Sequence, residues 1–313
     1  MSQLESGETR ERSVEPIRRL VFFGTPELSA RYLRALRDDD YEVVLAVTRQ
    51  PKRRGRGGLL TPSPVEAAAR ELGVPVSYDM DDVVGMSADL GLVVAYGRII
   101  PTTVLEHCRL VNVHYSLLPR YRGAAPMERA ILNGDEVSGV SLMEVSSGLD
   151  EGEVYDSVEV LIRDLSLSQV EDLLTQAGIA MVRRALQGGR AWLSAGVAQS
   201  GEVTYAGKLK PEEYRIDWTR SAEELVRVVR LERAYCFFDE RRLRVEAAAT
   251  SLGCDEGGSR TPGEIYRAPD GRWLVACGDG SALEVVSVRP EGRRSQRFRE
   301  FVGGLRTEIP LLR

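Results

Sequence analysis

Two kinds of hydrophobic pattern alternate along the first half of the chain. Short apolar runs have the length of buried strands, and each is followed by a stretch whose apolar positions have helical spacing. The runs are Ile17–Phe23, Glu42–Thr48 and Asp89–Ala95. Pro26 is placed to open the first helix and Pro64 the second. Since alternating strands and helices form right-handed crossovers, the pattern predicts an α/β fold with a Rossmann-like, mostly parallel sheet.

This organisation continues to about residue 188. A strand carries Asn112 and His114, two further strands flank the sequence GLDEG at 148–152, and a long helix starts after Ser166. Ser166 is a suitable N-cap, and the glycines that follow Gln187 end the helix. We therefore expect the first domain to span residues 17–188.

The rest of the chain has a different character. Residues 189–207 are predicted to form a linker, and a helix starts at about Ser221. Between Leu243 and Val288, short strands alternate with turn signals, which predicts a small β-barrel within a second domain at 208–313. Residues 1–16 are polar and lack an apolar run, so we expect a disordered extension that is neither a signal peptide nor an anchor.

The strongest chemical signal lies at the end of one strand. Asn112 and His114 are two residues apart, so on a strand their side chains share a face while Val113 points to the other. An amide beside an imidazole can stabilise an oxygen that becomes negative during acyl transfer, and the imidazole can carry a proton. Asp150, between the glycines of a tight turn, is suited to orient that imidazole. The loop 116–126 holds two prolines and one glycine, which predicts a stiff, irregular segment.

The loop that leaves the second strand is basic. It reads RQPKRRGRGGLLTPS and runs from Arg49 to Ser63. Its first eight residues contain five cations and no acid: Arg49, Lys52, Arg53, Arg54 and Arg56. Such a loop carries a strong positive potential, and both a solvated loop and an anion-binding loop fit this composition. The first strand–helix turn has the single glycine Gly24 and not G-x-G-x-x-G, so a dinucleotide site loses its main support.

Composition and charge narrow the class of protein. The 313 residues are 43% hydrophobic and 28% charged, as in ordinary globular proteins, and no apolar run approaches the roughly 20 residues of a membrane helix. The net charge of -5 is uneven, since 208–313 has 20 Lys and Arg against 18 Asp and Glu, which leaves 22 against 29 for 1–207. The mildly basic C-terminal third is weak evidence for an RNA partner. Four scattered cysteines and two histidines predict no disulfide, no metal site and a reducing cytoplasm.

The motifs together resemble a known family. The sequence NVHYSLLPRYRGAAP at 112–126, followed by GLDEG, closely resembles the active-site signature of the folate-dependent formyltransferases, in particular those acting on methionyl-tRNA. The segments FFGTP, TPSP, TYAGKL and RIDW also resemble this family. The chain differs in having Lys52 where the family usually has Asp, and LERAYCFFDERRLRV where it has an N-P-W-P segment.

The resemblance implies a function and a set of site residues. Asn112, His114 and Asp150 would be catalytic, the formyl donor would be 10-formyltetrahydrofolate, and the acceptor would be initiator methionyl-tRNA. The residues implied in folate binding are Tyr96, Ser116, Leu117, Leu118 and Pro119. The five cations of the basic loop and an OB-like C-terminal barrel would contact the tRNA, and we expect a monomer.

Two other functions fit the same fold. One is an N-formyltransferase acting on an amino-sugar nucleotide, and the other is a catalytically silent folate- or RNA-binding protein. The basic loop and the predicted barrel favour tRNA over a sugar nucleotide. Retention of all three catalytic residue types favours an enzyme over a binding protein, although a motif alone does not establish turnover.

Overall fold

The computed structural model describes residues 15–54, 58–251, 260–305 and 311–313. They belong to two compact units. The first comprises Met1–His114, Ser141–Val158 and Gln176–Ser200. The second comprises Tyr115–Val140, Glu159–Thr175 and Gly201–Arg313. The predicted boundaries at 17–188, 189–207 and 208–313 divide the chain along its sequence and stay predictions. Most of the predicted N-terminal extension lies outside the described residues.

A seven-stranded sheet carries the first unit. The strands as far as residue 161 are β1 (Arg19–Gly24), β2 (Glu42–Val47), β3 (Lys52–Arg54), β4 (Leu59–Thr61), β5 (Val76–Ser77), β6 (Leu90–Val94), β7 (Leu110–His114), β8 (Arg122–Gly123), β9 (Val137–Glu144) and β10 (Val154–Leu161). The sheet has the order β10-β9-β7-β6-β1-β2-β5. Pairing is parallel from β5 through β2, β1 and β6 to β7, which confirms the Rossmann-like, mostly parallel sheet.

Helices follow the strands as the hydrophobic pattern predicts. The α-helices are α1 (Glu27–Asp38), α2 (Pro64–Glu71), α3 (Thr102–His107), α4 (Pro126–Asn133), α5 (Leu167–Gln187), α6 (Ala222–Arg230) and α7 (Phe298–Gly303), and short 3-10 helices occupy Asp81–Val83, Gly189–Ser194 and Pro211–Tyr214. At the start of α2, the Ser63 hydroxyl accepts the Glu66 N–H at 3.0 Å. In α5, a Cβ on Gly178 would lie 2.0 Å from the Tyr32 hydroxyl, so glycine allows α5 to approach α1 closely.

Two features of the first unit differ from the sequence-based expectation. The segment expected to be a basic loop contains an antiparallel hairpin, in which β3 pairs with β4. Backbone hydrogen bonds stabilise this hairpin, so it does not need the alternating apolar pattern that signals a strand. In addition, β9 runs antiparallel to β7, so the parallel order ends at the strand that carries Asn112 and His114.

The second unit contains the predicted barrel. Its remaining strands are β11 (Tyr205–Ala206), β12 (Tyr235–Phe238), β13 (Arg241–Ser251), β14 (Ile265–Arg267), β15 (Trp273–Ala276), β16 (Ala282–Pro290) and β17 (Gln296–Arg297). The antiparallel sheet has the order β12-β13-β16-β15-β14, with β17 beside β16. Residues 311–313 join its two ends, because Arg313 pairs with Phe237 of β12 and Leu312 donates its N–H to the Gly263 carbonyl just before β14. The sheet is therefore a small barrel, as predicted.

The barrel interior is filled from one side by α6. Its apolar residues Leu225, Val228 and Val229 are buried in one cluster with Val245 and Leu283 of the strands. Ser221 caps the helix, because its hydroxyl accepts the Glu224 N–H at 3.2 Å and the Glu224 carboxylate accepts the Ser221 N–H at 3.2 Å.

Candidate active site

Strand β7 places Asn112 and His114 on one face of the sheet. Leu110, two residues before Asn112, packs in a core cluster with Val93 and Tyr96. Strand alternation puts Asn112 and His114 on that same face. The His114 side chain is only 6% exposed. Asn112 is half-buried, and within the described part of the chain its amide group makes no hydrogen bond, which leaves it available to a bound molecule.

Asp150 reaches His114 from the loop between β9 and β10. Its Oδ2 atom lies 3.7 Å from Nδ1 of His114, and its side chain is 16% exposed. This is an ion-pair distance, and it is longer than a direct hydrogen bond. The structure therefore brings the amide, the imidazole and the carboxylate together within the first unit.

The path of this loop is not that of a simple turn. In the β7–β9 pairing, His114 faces Ser141 and Val111 faces Glu144, so β9 ends beside the start of β7. Val111 is three residues before His114, so at about 3.3 Å per residue the end of β9 lies roughly 10 Å along β7 from His114. The loop must fold back towards His114 to deliver Asp150. Asp150 itself has φ +51, a left-handed conformation that aspartate tolerates better than most residues.

Two close contacts hold the folded-back loop. A Cβ on Gly152 would lie 2.1 Å from the Glu144 carbonyl oxygen, so only glycine fits there. The side-chain amide of Gln199 donates to the carbonyls of Asp150 at 2.9 Å and Gly152 at 2.8 Å. The sequence-based prediction missed Gln199, because it lies in the expected linker, where no periodic pattern distinguishes it from its polar neighbours.

The loop after β7 belongs to the second unit and is fixed there. The Ser116 hydroxyl donates to the Arg120 carbonyl at 2.6 Å, and the Tyr121 N–H donates to the Thr204 hydroxyl at 2.8 Å. The Leu118–Pro119 peptide bond is cis. The strand β8 pairs with β11, so the loop is tied along its length, as the stiff-loop prediction requires.

The side chains of Arg120 and Tyr121, both in this loop, bind the carboxylate of Asp135. Arg120 forms an ion pair with Asp135 at 2.9 Å, and the Tyr121 hydroxyl donates to the same carboxylate at 2.8 Å. Burial and the Asp135 contact raise the pKa of the Tyr121 hydroxyl, so Tyr121 keeps its proton as a donor. Of the residues predicted to bind folate, Ser116 and Pro119 are buried, whereas Leu117 and Leu118 are partly exposed.

Tyr96, the fifth predicted folate residue, lies in the first unit after β6. Its ring packs edge-on against Phe23 with centroids 5.6 Å apart. Burial raises the pKa of its hydroxyl, and the positive charges of Arg98 and Arg49 oppose that rise. The hydroxyl is buried, and no partner among the residues that the structure describes has good hydrogen-bond geometry to it, although the Arg98 side chain is close enough to lower its pKa. An orphaned buried hydroxyl of this kind fits a polar group of a bound ligand.

The predicted tRNA-binding cations do not form one continuous set. Arg49 is engaged locally, since its guanidinium donates to the Gly97 carbonyl. Lys52 and Arg53 are exposed on β3, and Arg53 also donates to the Gly58 carbonyl at 3.0 Å. Arg54 ends that strand, whereas Arg56 lies outside the described residues. The opposite strand carries Leu59 and Leu60, which are 77% and 65% exposed.

Neither a helix that could span a membrane nor a cluster of metal ligands occurs among the described residues. None of their helices has the length and apolar composition needed to span a membrane. No group of three or more His, Cys, Asp or Glu side chains within residues 15–54, 58–251, 260–305 and 311–313 is arranged to hold a metal ion.

Comparison with known sequences identifies the family. The formyl transferase family matches residues 18–186, and the formyl transferase C-terminal domain matches residues 208–306. The methionyl-tRNA formyltransferase of Brucella anthropi is 37% identical over 305 residues, which cover 91% of this chain and 97% of that protein. The methionyl-tRNA formyltransferase of Pseudomonas paraeruginosa is 38% identical over 305 residues, 93% of this chain and 97% of that protein.

Solved structures share the fold at low sequence identity. An N-formyltransferase from Helicobacter canadensis, in complex with folinic acid and dTDP-3-aminofucose, has a TM-score of 0.64 at 14% identity and covers 86% of this chain and 99% of its own. HypX from Aquifex aeolicus, in complex with tetrahydrofolic acid, has a TM-score of 0.61 at 17% identity and covers 96% of this chain and 51% of its own. From the two domain matches and the extent of identity, the chain belongs to the formyltransferase family, among the methionyl-tRNA formyltransferases.

Proposed function

We propose that this protein transfers a formyl group from 10-formyltetrahydrofolate to the α-amino group of initiator methionyl-tRNA, as a cytoplasmic monomer. The observation that carries the proposal is the meeting of Asn112, His114 and Asp150 in the first unit, with the carboxylate 3.7 Å from the imidazole. The names of the relatives support the choice of acceptor.

The three side chains have separate roles in the reaction. When the amine adds to the formyl carbonyl, the carbonyl oxygen becomes negative, and the Asn112 amide donates a hydrogen bond to it. His114 accepts the proton that leaves the amine nitrogen, and the imidazolium that results stabilises the same charge. When the tetrahedral intermediate collapses, the bond between the formyl carbon and the nitrogen of the formyl donor breaks, and His114 returns the proton to that nitrogen, so that tetrahydrofolate leaves. Asp150 faces Nδ1 of the ring, so it favours the form of the imidazole in which Nε2 exchanges the proton.

The chain offers groups suited to a folate. The pterin is flat and carries several donors and acceptors, so it needs apolar walls and a few polar contacts. In the first unit, the buried Tyr96 hydroxyl has an unused hydrogen-bonding capacity among the described residues. In the second, the partly exposed Leu117 and Leu118 provide apolar surface on a loop that the Ser116–Arg120 contact stiffens. These residues are proposed to bind the formyl donor.

The hairpin β3–β4 is proposed to contact the tRNA. Lys52 and Arg53 are exposed cations that can neutralise phosphates, and Leu59 and Leu60 offer apolar surface on the paired strand. Arg49, Arg54 and Arg56 complete the set inferred from the sequence. Arg49 is expected to act by bracing the hairpin base through Gly97.

The decisive experiment offers the protein 10-formyltetrahydrofolate together with one of two acceptors. Charged initiator tRNA and a dTDP-linked amino sugar are supplied in parallel, and the formylated products are identified by mass spectrometry. We expect formyl-methionyl-tRNA alone. Formylation of the sugar alone would replace the acceptor, and binding of folate without transfer to either would leave a binding protein.

A further inference from the structure

A side chain from the sequence segment between the two matched ranges contacts the loop that carries Asp150. We infer that Gln199 is a positioning residue that keeps the Asp150 carboxylate against His114, an inference that rests on the proposed function of those two residues. Residue 199 lies between the matched ranges 18–186 and 208–306, in the segment that the sequence predicts to be a linker.

The amide group of Gln199 bridges two carbonyls of the loop. Its Nε2 atom donates to the Asp150 oxygen at 2.9 Å and to the Gly152 oxygen at 2.8 Å. A primary amide has two N–H groups, so both are used in this bridge. The two bonds fix the backbone on either side of Glu151 and therefore set the direction in which the Asp150 side chain leaves the chain.

The segment that carries Gln199 is itself fastened within the first unit. Val197 and Val154 exchange two backbone hydrogen bonds of 2.9 Å each, so the segment runs antiparallel to the start of β10. Trp192 packs edge-on against Tyr155 with ring centroids 5.0 Å apart. Arg109 donates to the Leu193 carbonyl at 2.8 Å. Gln199 therefore acts from a fixed support and not from a free linker.

The loop needs such a support because of its conformation. It folds back along β7 from the end of β9, and Asp150 occupies a left-handed conformation with φ +51. The contact between Asp150 and His114 is 3.7 Å, which is longer than a direct hydrogen bond, whereas the two bonds from Gln199 are shorter and act on the backbone of the loop. Without the bridge, the Asp150 and Gly152 carbonyls lose these two hydrogen bonds, and the loop can relax away from His114.

The kinetic test removes the donors at constant side-chain length. In Gln199→Met the amide is lost, and Gln187→Met is the matched control, because Gln187 is exposed at the end of α5. We expect Gln199→Met to lower kcat on the order of 100-fold, since small misplacements of catalytic groups have effects of this size. The KM values for both substrates and the kinetics of Gln187→Met should not change. Gln199→Glu keeps the length of the side chain and also lacks the N–H donors, so we expect the same loss of kcat. This second variant replaces Gln199→Met in the test if Gln199→Met folds poorly.

A double variant separates positioning from a general structural role. If Gln199 acts through Asp150, then Gln199→Met should cause no further loss of kcat in an Asp150→Asn background. A further loss equal to that seen in the wild-type background would overturn the inference, as would an unchanged kcat in both single variants of Gln199.

A spectroscopic test does not depend on turnover. The chain has two histidines, His107 and His114, and the Nε2 atom of His107 accepts the Gly85 N–H at 2.9 Å, away from Asp150. In protein labelled with ¹⁵N-histidine, the ring-nitrogen signals of His114 should move in Gln199→Met in the same direction as in Asp150→Asn, while those of His107 stay in place. Unmoved His114 signals would overturn the inference. If the wild-type protein transfers no formyl group, the proposed function fails, but this measurement still tests the bridge.

Discussion

Replacing Gly152 by alanine should disable the site without unfolding the protein. A Cβ at this position would lie 2.1 Å from the Glu144 carbonyl oxygen and 2.9 Å from its carbon. Both are backbone atoms of β9, which is paired to β7, so no side-chain rotation can relieve the overlap. The loop that carries Asp150 must move instead.

The structure gives the size of this movement. Ordinary contact begins at 3.4 Å, so the new carbon and the oxygen must separate by a further 1.3 Å, the difference from 2.1 Å. That is about a third of the 3.7 Å between Asp150 and His114. A displacement of roughly 1 Å can cost on the order of 100-fold in rate, so we expect a loss of this size in kcat. Overpacking should also lower the free energy of unfolding by about 1–3 kcal/mol.

The assay compares Gly152→Ala with Gly303→Ala. A Cβ on Gly303, in α7, would meet nothing within 4 Å, so the control adds the same methyl group without overlap. Formyl transfer is followed under single-turnover conditions, and chemical denaturation measures stability. A kcat for Gly152→Ala equal to that of Gly303→Ala would refute the claim that the loop backbone sets the position of Asp150.

Three further predictions concern other parts of the molecule. Asn112→Ala should lower kcat by about 100- to 1,000-fold with an unchanged melting temperature, as expected for a lost oxyanion donor, and a near-normal rate would remove Asn112 from the mechanism. Arg53→Glu should raise the KM for tRNA and weaken its salt dependence, while the KM for the formyl donor is unchanged; equal effects on both substrates would argue against a phosphate contact. Burial raises the pKa of the Cys236 thiol from 9.0 to about 12, so the stability that the neutral thiol gives is fully present below pH 9, and the free energy of unfolding should fall as the pH rises from 9 towards 12. Cys236→Ala should flatten that slope in denaturation curves between pH 9 and 11, and an unchanged slope would contradict the thiol's role.

The sheet and the strand that carries Asn112 and His114 could be predicted because their signals are local. β1 and β6 are continuous apolar runs, and the structure buries almost every residue in them. The alternation of Asn112, Val113 and His114 requires only that the segment be a strand. The Ser166 cap is equally local, since its hydroxyl accepts the Gln169 N–H at 3.4 Å. In each case one short stretch of sequence contains the whole physical cause.

The features that could not be predicted depend on residues far apart in the chain. The barrel is joined by Leu312 and Arg313, whose backbone groups pair with residues 263 and 237, and a segment this short has no periodic pattern that predicts the pairing. The hairpin β3–β4 is an exception, because its two strands are close in sequence, but it too rests on backbone pairing, here between cations and exposed leucines. Gln199 donates to two backbone carbonyls that lie 47 and 49 residues earlier in the chain. Every residue has a backbone carbonyl, so no residue type in the sequence identifies these acceptors.

The antiparallel strand β9 explains why this site needs more support than strand ends usually give. In a parallel α/β sheet, functional groups come from neighbouring carboxyl ends, which the sheet itself aligns. Here only Asn112 and His114 come from such an end. Their neighbour β9 ends opposite Val111, so the carboxylate must return along the strand on a loop that the sheet does not align. The accuracy of the site therefore depends on contacts that are not part of the sheet, namely the close approach of Gly152 to Glu144 and the bridge from Gln199. It follows that variants of these two residues should affect catalysis more than their distance from the reacting atoms would suggest.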